Sequence, residues 1–206
     1  MRGALLFSDD QAARLSAAET NAIKALSLAP EFASAHCTLG FIYTFTNRAV
    51  QAIAECEHAL LLDRNLADAH SVIGLAKYFM GRAAETEGHV LKAFRLSPRD
   101  LRTYTWMYHV CAAKVQLGAD AEAVAWLRRS IEANRNFPMS HFVLAAALGL
   151  LGALDEARAA TKAAFALNPG FTICRLRAHK FSDNPTYLAG RERICEGLRL
   201  AGIPER

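Results

Sequence analysis

The sequence predicts an all-α protein built as a solenoid of antiparallel helix pairs. Three observations carry that expectation. Apolar residues recur at helical spacing, and no segment alternates with the period of two that marks a half-buried strand. A pattern about 34 residues long returns along the chain, in rows ending at Pro30, Arg64, Pro98, Arg135 and Pro169. Small residues hold fixed places in each row, where the two helices of a pair would have to touch.

The row from Ala67 to Pro98 is the most regular: two apolar helical patterns, a turn at Gly81-Arg82 and a closing proline. Down the rows, the turn position holds Asn47, Gly81, Gly118 and Gly152. The first small position of the second helix holds Ala18, Ala52, Thr86, Ala123 and Ala157, and seven residues later come Ala25, Ala59, Ala93, Ser130 and Ala164. In the first helix the close-contact position holds Gly40, Gly74, Cys111 and Ala145, preceded by Leu39, Ile73, Val110 and Leu144. Antiparallel helices joined by a tight turn approach closely only where side chains are small, and the large flanking residues fill the space between neighbouring pairs. One pair cannot bury its apolar faces alone, so the rows must stack. The row ending at Arg135 is 37 residues long, and an insertion of three near Leu101-Arg102-Thr103 accounts for the difference.

Helices are expected over 9–28, 32–46, 48–62, 66–80, 83–96, 100–117, 120–134, 138–151, 154–167, 171–180 and 185–201, with proline and glycine at most joints. The first row keeps only Gly3 to Phe7 of its first helix, so Met1 reads as a truncation point rather than a natural beginning. Near the other end, Ser182-Asp183-Asn184-Pro185 is a helix-start signal, with proline at the first helical position. Leu188, Ile194, Cys195 and Leu198 then recur at helical spacing. Solenoids need a terminal unit over the last apolar face, and this helix is expected to supply it. Residues 1–206 thus read as a single repeat domain, with 170–206 a partial repeat and a capping helix.

Composition narrows the function. Hydrophobic residues at 52% and charged residues at 21% exclude a disordered chain. A formal charge of +4 is too weak to imply nucleic acid without a concentrated patch. Bases outnumber acids after Phe171, but as a solvated helix with ion pairs they need no nucleic acid, which is disfavoured as a partner. Five widely spaced cysteines without a C-x-x-C pair fit small buried thiols in a reducing, cytoplasmic compartment. No segment reads as targeting or membrane-spanning; the most apolar run, Phe142 to Leu154, is broken by Gly149 and Gly152.

No catalytic constellation emerges. His36, His70 and His141 share one repeat position, which favours a structural role at the helix seam. Cys56 and His58, two apart on a helix, point to different sides, and no zinc pattern, phosphate loop or nucleophile elbow is present. Neither a metal nor a cofactor is expected, and the chain reads as a non-enzyme.

Gly74, Gly81, Ala93 and Pro98, with their counterparts in the other rows, resemble the tetratricopeptide repeat (TPR). The large aromatic usual near the start of that motif is replaced by His36, His70, Met107 and His141; Tyr43 fits the later aromatic position, whereas Lys77 and Lys114 do not. The resemblance implies a right-handed superhelical solenoid of about four and a half pairs, whose first helices line a concave groove. Inward positions there would be apolar and aromatic, with Phe41, Phe45, Leu75, Tyr78, Phe79, Tyr108 and Phe142 as the candidate partner-binding residues. The carboxylate clamp of chaperone-binding TPR domains is absent, since Cys37, Phe41 and Val72 stand at matching positions. An exposed apolar lining marks an interaction site. Its occupant could be a partner helix or peptide, a second copy of the chain, or the chain's own end. A register shifted by one residue would instead make these side chains inter-helix core.

The whole chain, and above all the phrase from Glu196 to Glu205 (EGLRLAGIPE), resembles C-terminal TPR regions that follow bacterial class III adenylate or guanylate cyclase domains or winged-helix regulators. That resemblance implies a regulatory or sensory region whose catalytic domain lies outside this chain, and no catalytic residue is carried over. The expected function is a non-catalytic scaffold for protein–protein interaction or oligomerisation.

Overall fold

Four turns in the left-handed backbone region set the spacing of the helix pairs. Asn47 has φ 58°, Gly81 and Gly118 have φ 75° and Gly152 has φ 76°, each at the position expected to turn. Glycine reaches this region without the Cβ penalty that other residues carry. Each turn ends its helix in the same way: the N–H of the following residue reaches back five places, as in Arg82 N to Lys77 O at 2.8 Å and Ala153 N to Leu148 O at 3.0 Å. This is the Schellman motif, which satisfies carbonyls left over at a helix C-terminus. A fifth example, Gly202 with φ 84°, closes the last helix and extends the series beyond the expected turns.

The computed structural model describes residues 10–206, and the expected remnant at Gly3–Phe7 lies outside them. Among the described residues the elements are all helical: α1 (Gln11–Leu28), α2 (Ala33–Thr44), α3 (Ala49–Leu62), α4 (Ala67–Phe79), α5 (Thr86–Leu96), α6 (Thr103–Gln116), α7 (Asp120–Ala133), α8 (Pro138–Leu150), α9 (Leu154–Leu167), α10 (Ile173–Ala178) and α11 (Pro185–Leu200). A 3₁₀ turn, Ala83–Glu85, precedes α5, where one helix over 83–96 was expected. The chain divides into two compact units. One comprises α1 to α5 with Lys180–Asn184, and the other comprises α6 to α11. The division after Arg99 falls where the period lengthens. There the inserted residues form a turn, with Asp100 accepting from the Arg102 backbone N–H at 2.8 Å and from its guanidinium at 3.1 and 3.0 Å. Helix α6 accordingly begins at Thr103, later than the expected 100.

From α3 onward the small-residue columns lie at the contacts between paired helices, whereas Ala18 and Ala25 on α1 are only half-buried. Ala52, Ala59, Ala93, Ala123, Ala157 and Ala164 are all 0% exposed. A Cβ on Gly40 would sit 2.6 Å from Cys56 Sγ and 2.9 Å from the Ala52 carbonyl, so α2 and α3 could not close over a larger residue. Where the column departs from alanine, the added hydroxyl is satisfied. Thr86 Oγ1 donates to Gly74 O at 3.0 Å, and Ser130 Oγ lies 2.8 Å from both Tyr104 O and Ser140 Oγ. That is the condition for burying a polar group at low cost.

In the second unit, α11 lies across α8 and α6, the first helices of their pairs. Glycine makes the approach possible: a Cβ on Gly149 would come within 2.6 Å of Gly197 O, and one on Gly197 would overlap the Ala146 carbonyl. Arg193 forms an ion pair with Asp120 at the start of α7. The first turn of α10 is capped by the chain end, Ile173 N donating to Pro204 O at 3.1 Å and Cys174 N to Glu205 O at 2.9 Å.

Two glycine substitutions separate backbone strain from packing. A Cβ meets nothing within 4 Å at either Gly152 or Gly88, but only Gly152 has positive φ. Gly152→Ala is expected to cost about 1–2 kcal/mol, and Gly88→Ala to stabilise by up to about 1 kcal/mol. Urea-denaturation midpoints should move in opposite directions.

Candidate partner-binding site

The aromatic residues of the first unit follow from helical spacing. Phe41 and Phe45 are four apart, hence neighbours on one face of α2 and its C-terminal edge, with ring centroids 4.9 Å apart. From the end of α4, Phe79 meets Phe45 edge-on at 5.7 Å, and Tyr78 lies 5.4 Å from Phe79. Lys180–Asn184, which has no regular secondary structure, occupies this cluster. The Phe181 ring stands edge-on to Phe45 at 5.1 Å and tilted against Phe79 at 5.6 Å, leaving it only 9% exposed. Both separations lie in the favoured range for aromatic pairs.

Polar contacts fix the direction of the segment. Ser182 Oγ donates to Phe79 O at 2.8 Å and accepts from Asn184 N at 3.1 Å. The Phe79 carbonyl belongs to the last turn of α4, where carbonyls lack intrahelical donors. Asn47 grips the next residue with both ends of its amide: Nδ2 donates to the Asp183 carboxylate at 2.6 Å, and Oδ1 accepts from the Asp183 backbone N–H at 3.2 Å. Lys180 forms an ion pair with the same carboxylate. The Lys180 hydrogen bond, with a smaller contribution from Asn47, holds the Asp183 carboxyl below the usual range.

The candidate lining residues divide between the units. In the first, Phe45, Leu75, Tyr78 and Phe79 are buried and Phe41 is half-buried. The other two lie in the second unit. Phe142 is fully buried, stacked on Phe171 at 3.8 Å and edge-on to Phe165 at 5.6 Å. Tyr108 packs edge-on against Phe137 at 5.5 Å, and burial pushes its hydroxyl above the ordinary tyrosine value. Sequence reasoning missed Phe181, Ser182 and the Asn47 side chain. The sequence marks Ser182-Asp183-Asn184-Pro185 as a helix start and Asn47 as a turn, and neither role points to this contact. The available signals were asparagine in a column otherwise filled by glycine and an aromatic immediately before the helix start.

His36 and His141 have structural partners. His36 Nε2 lies 2.8 Å from Pro30 O and its Nδ1 2.7 Å from Glu55; His141 Nε2 lies 3.0 Å from Arg135 O. At both repeats the imidazole thus reaches the backbone carbonyl that ends the previous row. Burial holds His70 and His89 below the ordinary value, with Lys92 adding to the effect, and burial alone pushes His109 down to about 4. Among the described residues no group of three histidine, cysteine or acidic side chains could hold a metal ion. Cys37, Cys56, Cys111 and Cys195 are buried free thiols and Cys174 is exposed. A hydrogen bond with Cys37, reinforced by burial, pushes the Cys56 thiol far up, away from reactive thiolate chemistry.

Most of the bases near the end have acidic or carbonyl partners. Arg177 pairs with Glu192 and Glu205, and Arg199 with Glu196 and Glu205. Arg191 reaches the carbonyls of Arg177 and His179 at 3.3 and 3.5 Å. Among the described residues no helix is long and apolar enough to cross a membrane.

Solved TPR structures share the fold. The chain superposes on YrrB, described as a TPR protein with an unusual peptide-binding site, with a TM-score of 0.57, 24% identity and coverage of 87% of this chain and 90% of that one. For pilF of Pseudomonas aeruginosa the TM-score is 0.68 at 21% identity, covering 93% and 82%. For PilW, a widely conserved type IV pilus biogenesis factor, it is 0.67 at 21% identity, covering 90% and 89%. No protein-family model matches the chain, and no curated protein matches it. The fold is therefore an all-α helical-repeat solenoid of the TPR type.

His109 gives the fold a pH dependence whose sign is fixed. Its folded imidazole titrates near 4, whereas an unfolded one takes a proton near the ordinary value of about 6.5. Stability from this group is complete above the unfolded value and is lost as pH falls through the folded one, by up to about 3 kcal/mol. Urea midpoints are expected to drop between pH 7 and pH 5, and His109→Gln should flatten that dependence.

Proposed function

We propose that the chain is a non-catalytic protein-interaction module, reading as one repeat domain over 1–206, whose aromatic lining takes a partner peptide or helix. The single observation carrying this reading is the seating of an extended stretch, Phe181 to Asp183, against Phe45, Phe79 and Asn47. A surface that holds one piece of non-helical chain by ring contacts and backbone hydrogen bonds has the chemistry to hold another. Phe41, Phe45, Leu75, Tyr78 and Phe79, all in the first unit, form the proposed site. The similarity to YrrB, whose description includes a peptide-binding site, points the same way. The free thiols fit a reducing, cytoplasmic setting. The paired bases give nucleic acid little to bind.

A second reading, the regulatory region of a nucleotidyl cyclase, rests on the phrase from Glu196 to Glu205. Packing gives that phrase work of its own. Gly197 admits the crossing with α8, Gly202 makes the last turn, and Glu205 joins Arg177 and Arg199. The interaction reading is accordingly preferred.

Selection from a random peptide display library against the full chain tests it. Phe41 is the suitable position to vary, because it is only half-buried. Truncating Tyr78, which is 5% exposed, would cost about 3–5 kcal/mol of core packing. Enriched peptides are expected to lose at least about tenfold in affinity, roughly 1.4 kcal/mol, for Phe41→Ser with far-UV circular dichroism unchanged. No enrichment, or enrichment indifferent to that substitution, overturns the groove assignment.

A further inference from the structure

We infer that the first unit recognises an extended segment of the pattern aromatic–hydroxyl–aspartate. Its resident occupant is Phe181-Ser182-Asp183, and a partner protein bearing the same pattern would compete for the place. The inference rests on the interaction reading above and adds the chemistry of the ligand.

Each element of the pattern has a matching feature. The aromatic ring is read by two faces of different orientation: Phe45 stands at 89° and Phe79 at 43° to the Phe181 ring. A branched aliphatic side chain could fill the volume but not the paired edge and tilted contacts. The hydroxyl is read by the Phe79 carbonyl, in the last turn of α4, at 2.8 Å. Aspartate is read by Asn47, whose amide takes the carboxylate with its nitrogen and the backbone N–H with its oxygen. That two-point grip fixes both the side chain and the strand direction, which a single contact would not.

Asn47 is the discriminating residue. It occupies the left-handed turn position filled elsewhere by Gly81, Gly118 and Gly152. Glycine would meet the backbone requirement at lower cost, yet would remove the amide that holds Asp183. Asn47 is also exposed, so its side chain is not fixed by core packing.

The resident segment is covalently attached, so it competes at the high effective concentration of a short linker. A peptide added in trans sees a site that is only fractionally open, and its apparent affinity falls by that fraction. Phe181→Ala weakens the resident while leaving every residue of the site in place.

The experiment uses the full chain and a fluorescent peptide of residues 178–185, AHKFSDNP, with binding read by anisotropy. The Phe181→Ala chain is expected to bind the peptide at least about tenfold more tightly than the unaltered chain. Replacing phenylalanine or aspartate in the peptide by alanine should each cost at least about fivefold. Asn47→Gly, introduced beside Phe181→Ala, should remove the aspartate preference and retain the phenylalanine preference. Because glycine suits the turn, that double variant is expected to keep its helicity. Equal binding by unaltered and Phe181→Ala chains, or an aspartate preference that survives Asn47→Gly, overturns the inference. Library-selected peptides that bind at Phe41 without the pattern also overturn it while leaving the interaction reading intact. Light scattering supplies the remaining arm. If the unaltered chain is dimeric and Phe181→Ala makes it monomeric, the segment serves a second copy, and recognition of a separate partner is overturned.

Discussion

Close approach of paired helices is the constraint on which the structure depends. At the contact positions from α3 onward alanine is stripped of solvent entirely, and at Gly40 even a methyl group would collide with the facing helix. Such an interface has no slack. Protein interiors are packed at crystal-like density, and one added methylene is felt. The left-handed turns belong to the same constraint, because a shallow reversal with the wrong backbone hand would bring the second helix down out of register. Small columns and positive-φ turns thus specify one arrangement together, and the larger residues have only to fill what remains.

That coupling explains how much of the fold could be read beforehand. Asn47, Gly81, Gly118 and Gly152 were identifiable as turns because backbone conformation restricts residue type directly. The alanine columns were identifiable because steric exclusion does the same. The insertion near Leu101 was visible as a break in period, and the division between units falls there. Which of the possible occupants covers the aromatic cluster was not legible. Periodicity assigns a side chain to a face but does not say what covers it, and the cover at Phe45 and Phe79 comes from a segment far along the chain. Local pattern has no reach over such separations. The Asn47 amide was hidden for another reason: once its backbone role was recognised, no sequence rule asked for a second one.

Magnitudes explain why the resident segment can be both seated and displaceable. Burying a phenylalanine contributes about 2–3 kcal/mol, and three net hydrogen bonds add about 1 kcal/mol each. Ordering five residues of backbone costs about 1–2 kcal/mol apiece. The two sides lie within a few kcal/mol of each other, and tethering by α10 and α11 lowers the ordering cost. An element so poised opens locally without unfolding the helices beneath it, which is where ligand-responsive segments are drawn from.

The sequence separation of this contact also has a consequence during synthesis. Phe79 and Ser182 are 103 residues apart. At about 5–20 residues per second, a ribosome needs roughly 5–20 s to pass from one to the other. Helix pairs close on far shorter timescales. For those seconds the nascent first unit can hold its helices formed while Phe45 and Phe79 still face water. The chain therefore carries an open aromatic face in every round of translation, and a ligand with the right chemistry could reach it before the chain's own residues arrive.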